Sequence, residues 1–133
     1  KGDRMGKAVS AIRSQKEMVT RALKFVEKVM KICDERSLKL VNVYVIGSRA
    51  RGDYLDISDI DLVLIIEGVE DLDQVERKTL FKDVIEGGVD FIILSPKEWL
   101  KDSVIIKNLR SEAIPLQQLV DILKNLSSSI YNP

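Results

Sequence analysis

The sequence predicts an α/β (α+β) domain, a small β-sheet flanked by helices, on three observations. Three short β-branched runs, Leu40 to Ile46, Ile60 to Ile66 and Val89 to Leu94, have the length and composition of buried strands. Around and between them lie longer stretches whose apolar residues recur at helical spacing. The chain has 133 residues, 45% of them hydrophobic and 32% charged, which suits one core and leaves no room for a second. Residues 15–133 are therefore read as a single domain, and the polar residues 1–14, with Gly2 and Gly6, as an N-terminal tail or extra turn.

Taken in order, Ser14-Gln15-Lys16-Glu17 matches a capping box and predicts a helix over 15–36. Val19, Leu23, Val26, Met30 and Cys33 mark one face of it, and Phe25, Val29 and Ile32 widen that stripe enough to cover a sheet. The run Leu40 to Ile46 stops at Gly47, and Ile60 to Ile66 stops at Glu67-Gly68. Leu72, Val75, Leu80, Val84 and Ile85 predict a helix over 71–85, ended by Gly87-Gly88. After the third strand, Ser95 as cap and Pro96 at the first position predict a helix reaching Leu109. Ala113 to Gln117 reads as a brief edge strand, because Pro115 cannot donate to a central ladder, or Leu116 to Leu126 opens a last helix. Ser127 to Pro133 is a polar end without pattern.

Composition excludes several chemistries. Lys plus Arg equal Asp plus Glu at 21 each, so no net field draws the molecule onto nucleic acid or an anionic membrane. The balance conceals an asymmetry: residues 1–39 carry 11 basic and 5 acidic side chains, residues 53–90 carry 3 and 12. With no histidine, imidazole bases, Ser-His-Asp triads and His-ligated zinc are ruled out. One cysteine, Cys33, forms no internal disulfide and fits a reducing, cytoplasmic compartment. The longest apolar run is far too short to span a bilayer, so a soluble protein with no membrane partner is expected.

Chemistry concentrates in Gly47-Ser48-Arg49-Ala50-Arg51-Gly52 and, beyond a polar loop, Ser58-Asp59-Ile60-Asp61. Gly47 at a strand end permits a tight turn that exposes backbone N–H groups, Ser48 adds a hydroxyl and Arg51 a charged fork, which together suit a phosphate. Alone, the same residues read as a simple turn. Asp59 and Asp61 are two apart at the head of a strand, so their side chains share a face. Two carboxylates so placed call for a cation, or else form a solvated Asx turn. Asp90 is a lone charge at the start of the third apolar run; it is either an exposed strand end or, if strands two and three are neighbours, the third oxygen ligand. An oxygen-only set selects Mg²⁺ or Mn²⁺, as in two-metal phosphoryl transfer.

The run GSRARGDYLDISDIDLVLI, with Gly47-Ser48, ten residues, then Asp59-Ile60-Asp61, and with Asp90 opening a later strand, resembles the DNA polymerase beta nucleotidyltransferase superfamily. It is most similar to the smallest members, the minimal nucleotidyltransferases, over residues 15–117. The resemblance implies a small mixed sheet flanked by helices, a polymerase-beta-like nucleotidyltransferase core. It also implies a nucleoside triphosphate donor, ATP by default, and in-line nucleotidyl transfer with release of pyrophosphate. By position, Gly47 and Ser48 would hold the triphosphate, Arg51 would pair with its β- or γ-phosphate, and Asp59 and Asp61 would bind both metals. Asp90 would bind the catalytic metal and help deprotonate the acceptor hydroxyl. Arg49 matches a less fixed position, facing solvent or a partner. Minimal members are often paired with a helical HEPN toxin and neutralise it by transferring AMP to a tyrosine, so the resemblance implies an antitoxin.

Other residues read more plainly. Asp53 and Asp56 are expected as solvated turn residues, Tyr54 as cover for an edge, Trp99 as core or partner-facing, and Cys33 as core. The basic residues of the first helix are spread around it and read as solvated rather than as an RNA-binding face. The competing function is a non-catalytic nucleotide-binding or partner-covering module, and a homo-oligomer would form through the long first helix or the sheet edge.

Overall fold

The computed structural model describes residues 3–131. Its elements run α1 (Asp3–Glu35), β1 (Lys39–Ile46), α2 (Ser48–Arg51), β2 (Ile60–Glu67), α3 (Gln74–Thr79), β3 (Val89–Leu94), α4 (Pro96–Trp99), α5 (Val104–Glu112), β4 (Ile114–Pro115) and α6 (Leu116–Tyr131). The strands form one sheet in the order β3-β2-β1-β4. β1 pairs antiparallel with β2 and with β4, while β2 and β3 are parallel. The sheet is thus mixed and flanked by helices, as the resemblance implies.

β2 lies between β1 and β3 and is buried on both faces, which is why it reads as an almost unbroken apolar run. Its alternate residues divide between two cores. Ile60, Leu62, Leu64 and Ile66 join α1 and α6, whereas Val63 and Ile65 join Leu94, Trp99 and the partly buried Ile106 and Leu109 on the α4 and α5 side. Trp99 is core, its ring stacked on Tyr44 at 4.9 Å between centroids. Cys33 is also core, and burial pushes its thiol up to about 11, so it stays neutral.

Several element boundaries differ from the sequence expectation. α1 begins at Asp3, so Ser14 is no helix cap and the stretch assigned to a tail or extra turn is helical from residue 3. Tertiary contacts explain the extension: Ser10 Oγ donates to Asp56 Oδ2, and the Ala11 carbonyl accepts the Tyr54 hydroxyl. The face of α1 turned to the sheet also differs in part from the expected one. The expected Val19, Phe25, Val29 and Cys33 are buried, joined by Met18 and Ala22, while the expected Leu23 and Met30 are 42% and 53% exposed. The Phe25 ring lies 4.8 Å from that of Phe91 on β3.

The stretch 71–85 holds only the short helix α3 and a 3₁₀ turn, Lys82–Val84. Asp73 caps α3 through a capping box with Glu76. The expected helix from Pro96 breaks after Trp99, and Ser103 caps a separate α5. Both readings of 113–126 hold: β4 is a two-residue edge strand and α6 follows at once, running on to Tyr131. Residues 1–2, assigned to the tail, and 132–133, assigned to the polar end, lie outside the described residues.

Arg77 fastens α3 to the rest. It is 2% exposed and donates from Nε to the Leu72 carbonyl, from Nη1 to the Ile93 carbonyl, and through both terminal nitrogens to Glu98. The Arg77 guanidinium holds the Glu98 carboxyl down at about 2. A depressed carboxyl contributes stability above its ordinary value and loses it as pH falls through its folded value. Glu98→Gln is therefore expected to cost about 2 kcal/mol at pH 7 by urea denaturation, because Arg77 keeps its burial and loses its charge partner. The gap from the parent chain should close as pH is lowered from 4.5 toward 2.

Candidate active site

The site lies where β1 ends and β2 and β3 begin, on the face covered by α4 and α5. Antiparallel pairing sets Ile46 opposite Asp61, and parallel pairing sets Asp61 opposite Asp90. Registered residues of neighbouring strands point the same way, so Asp61 and Asp90 share a face, and Asp59, just ahead of β2, adds its charge to theirs. The structure therefore sets Asp90 beside Asp61 and Asp59 close enough for its charge to act on Asp61, without gathering the three carboxylates into one ligand cluster among the described residues. Asp61 is half-buried, while Asp59 and Asp90 are exposed.

Gly47 follows β1 directly, with φ 73° and ψ −154°, and opens the single helical turn α2. Its backbone lies so close to Asp61 that a Cβ would stand 2.9 Å from Asp61 Oδ2. Both the positive φ and the close approach require glycine. The Gly47 turn and the acid pair thus occupy one corner.

The electrostatics of that corner are unbalanced. Burial first, then the charges of Asp90, Asp59 and Glu112, push the Asp61 carboxyl above its ordinary value. An oxygen-only set around a carboxyl that resists ionisation fits a hard divalent cation in donor chemistry. Among the described residues, no group of three His, Cys, Asp or Glu side chains stands ready to hold a metal. Asp90 is turned to other partners, its Oδ1 accepting the Phe91 N–H at 2.8 Å and Lys78 Nζ at 3.3 Å.

Arg51 pairs with Asp53 at 3.2 Å and with Glu112 at 3.3 Å. Glu112 also accepts the Gly47 N–H, at 3.1 Å. Sequence reasoning missed this fourth acid, since it lies at the end of α5, 61 residues from Arg51, and no local motif marks it.

Arg49 corrects another expectation. Instead of facing solvent or a partner, it is 1% exposed. Its Nε and Nη2 donate to the Ser58 carbonyl, Nη2 also to the Asp56 carbonyl, and Nη1 to Ser14 Oγ and Gln15 Oε1. Gln15 returns a hydrogen bond to the Arg49 carbonyl. The Tyr54 ring covers the guanidinium at 4.3 Å, so this tyrosine is cover, as expected, but for a buried cation rather than an edge. Asp56 is not a simple solvated turn residue either, because its side chain and carbonyl tie the loop to α1 and Arg49.

Arg49→Ala is expected to destabilise the fold by about 2 kcal/mol, leaving the buried Gln15 Oε1 and the part-buried Asp56 and Ser58 carbonyls without this donor. Arg49→Lys should recover only part of this, since one ammonium cannot reproduce a planar fork. Chemical denaturation of the two variants beside the parent measures both.

No curated protein matches the chain. Its structure is similar to the crystal structure of a presumptive nucleotidyltransferase from Sulfolobus solfataricus, with a TM-score of 0.64 and 33% identity, covering 80% of this chain and 85% of that one. A family model described as a nucleotidyltransferase domain matches residues 26–114. That span includes Gly47, Ser48, Arg51, Asp59, Asp61, Asp90 and Glu112, and on it the chain belongs to the polymerase-beta-like nucleotidyltransferase family.

Proposed function

We propose that this chain is a Mg²⁺- or Mn²⁺-dependent nucleotidyltransferase that moves AMP from ATP to an acceptor hydroxyl. One observation carries the reading: Gly47 abuts Asp61, and Asp61 faces Asp90 across the β2–β3 register, so phosphate-binding and acid groups converge. Gly47, Ser48 and Arg51 hold the triphosphate, with the Arg51 fork on a terminal phosphate. Asp59, Asp61 and Asp90 supply the oxygen ligands. The cation, when bound, neutralises charge on the phosphate oxygens.

With no histidine in the chain, Asp90 is the group placed to take the acceptor proton. The freed oxygen bonds to the α-phosphorus while the bond to the β-phosphate breaks and pyrophosphate leaves. Positioning and charge neutralisation supply most of the acceleration, and no covalent enzyme intermediate is needed. The family resemblance favours a tyrosine of a HEPN-type toxin as acceptor, which makes the chain an antitoxin. No helix among the described residues is long and apolar enough to cross a membrane, and a reducing cytoplasm suits buried Cys33.

A second reading, a nucleotide-binding or partner-covering module without catalysis, draws on the engagement of Asp90 by Lys78. Calorimetric titration of ATP with and without Mg²⁺ separates the proposals. Metal-dependent binding that disappears in Asp59→Asn/Asp61→Asn supports a working donor site, and absence of binding under every condition favours the covering module. For transfer itself, Asp61→Asn should lower incorporation of α-labelled ATP by about a hundredfold or more while the circular dichroism spectrum is retained. Gly47→Ala tests the cradle: its Cβ meets the Asp61 carboxylate, so nucleotide affinity should fall along with transfer.

A further inference from the structure

Glu112 bridges two groups of the cradle. Oε1 accepts the Gly47 N–H at 3.1 Å and Oε2 accepts from Arg51 Nη1 at 3.3 Å. Nothing else nearby favours an anion there. Glu112 closes α5, where the helix dipole is negative, and its charge opposes that of Asp61. What holds the carboxylate is the receptor itself, a backbone N–H beside a guanidinium, which is the chemistry that binds a phosphate.

We infer that Glu112 is an internal anion that fills the triphosphate cradle of the nucleotide-free chain and yields it to the donor, setting how tightly the site takes a triphosphate. The inference rests on the proposed reading of Gly47 and Arg51 as phosphate ligands. Displacement needs little movement. The Glu112 side chain is 30% exposed and that of Arg51 49%, so a solvated pair of modest strength is exchanged for a more highly charged ligand. Adenosine, which carries no phosphate, leaves Glu112 in place. Glu112 therefore discriminates by charge, where the backbone contacts of the cradle do not read the base.

The test is calorimetric titration of Mg²⁺ with ATP, and separately of adenosine, into the parent chain, Glu112→Gln and Glu112→Asp. Gln keeps an acceptor for the Gly47 N–H and removes the competing charge; Asp draws the carboxylate back by one methylene. Both variants should bind ATP about three- to tenfold more tightly than the parent, with adenosine affinity unchanged. Thermal melting should show Glu112→Gln slightly less stable alone and more strongly stabilised by ATP. Equal or weaker ATP binding by folded variants overturns the role of Glu112 while parent binding preserves the donor site. Failure of all three chains to bind ATP overturns both.

Discussion

The buried guanidinium of Arg49 is the interaction on which the site depends. It leaves α2 within two residues of Gly47 and reaches the carbonyls of Asp56 and Ser58, just ahead of Asp59, and the side chains of Ser14 and Gln15 on α1. One side chain thus ties the Gly47 turn, the approach to the aspartate pair and the long helix to each other. Desolvating a cation is costly unless its donors are satisfied, and here four protein acceptors and an aromatic face satisfy it. Burial pulls the guanidinium below its ordinary value, and the neighbouring Tyr54 and acidic side chains oppose that shift. The loop 53–59 has no regular structure of its own, and this clamp, with the Tyr54 and Asp56 contacts to α1, sets its path from Gly47 to Asp59.

Around that frame the site is charge-paired from within. Lys78 engages Asp90, and Arg51 engages Asp53 and Glu112. These pairs are largely exposed, and exposed pairs contribute little stability, so the fold loses little when they open. Asp61 differs. It is half-buried, its carboxyl is raised by burial and by the charges of Asp90, Asp59 and Glu112, and it has no basic partner within the described residues. The structure thus places its weakly held groups at the rim and its uncompensated one at the centre.

Much of this was legible in the sequence because it depends on local pattern. The strand runs and the Ser95-Pro96 start depend on neighbours a few residues away, and the structure reproduces them. Features set by distant contacts were not legible. The apolar stripe of α1 is wider than the sheet can cover, and local pattern does not show that Leu23 and Met30 are the members left exposed. Residues 3–14 have weak apolar periodicity and are helical because they hold the loop around Tyr54 and Asp56. Arginine is ordinarily a surface residue, so the burial of Arg49 and Arg77 had no sequence signal, and Glu112 meets the cradle only through tertiary structure.

Fold and site are linked most tightly through the register of β2. Its even-numbered residues fill the core under α1 and its odd-numbered residues face α4 and α5, with Asp61 heading the odd set. A slip of one residue would turn Asp61 toward the larger core under α1 and Leu62 and Leu64 toward the smaller one under α4 and α5, so the packing that pins the strand also aims the carboxylate. The same register fixes Asp90 opposite Asp61 through β3 and Ile46, hence Gly47, opposite it through β1. Three groups from three segments therefore meet because one central strand is apolar on both faces. An acid can be kept half-buried at its end because the surrounding strand has more than enough burial to hold it there.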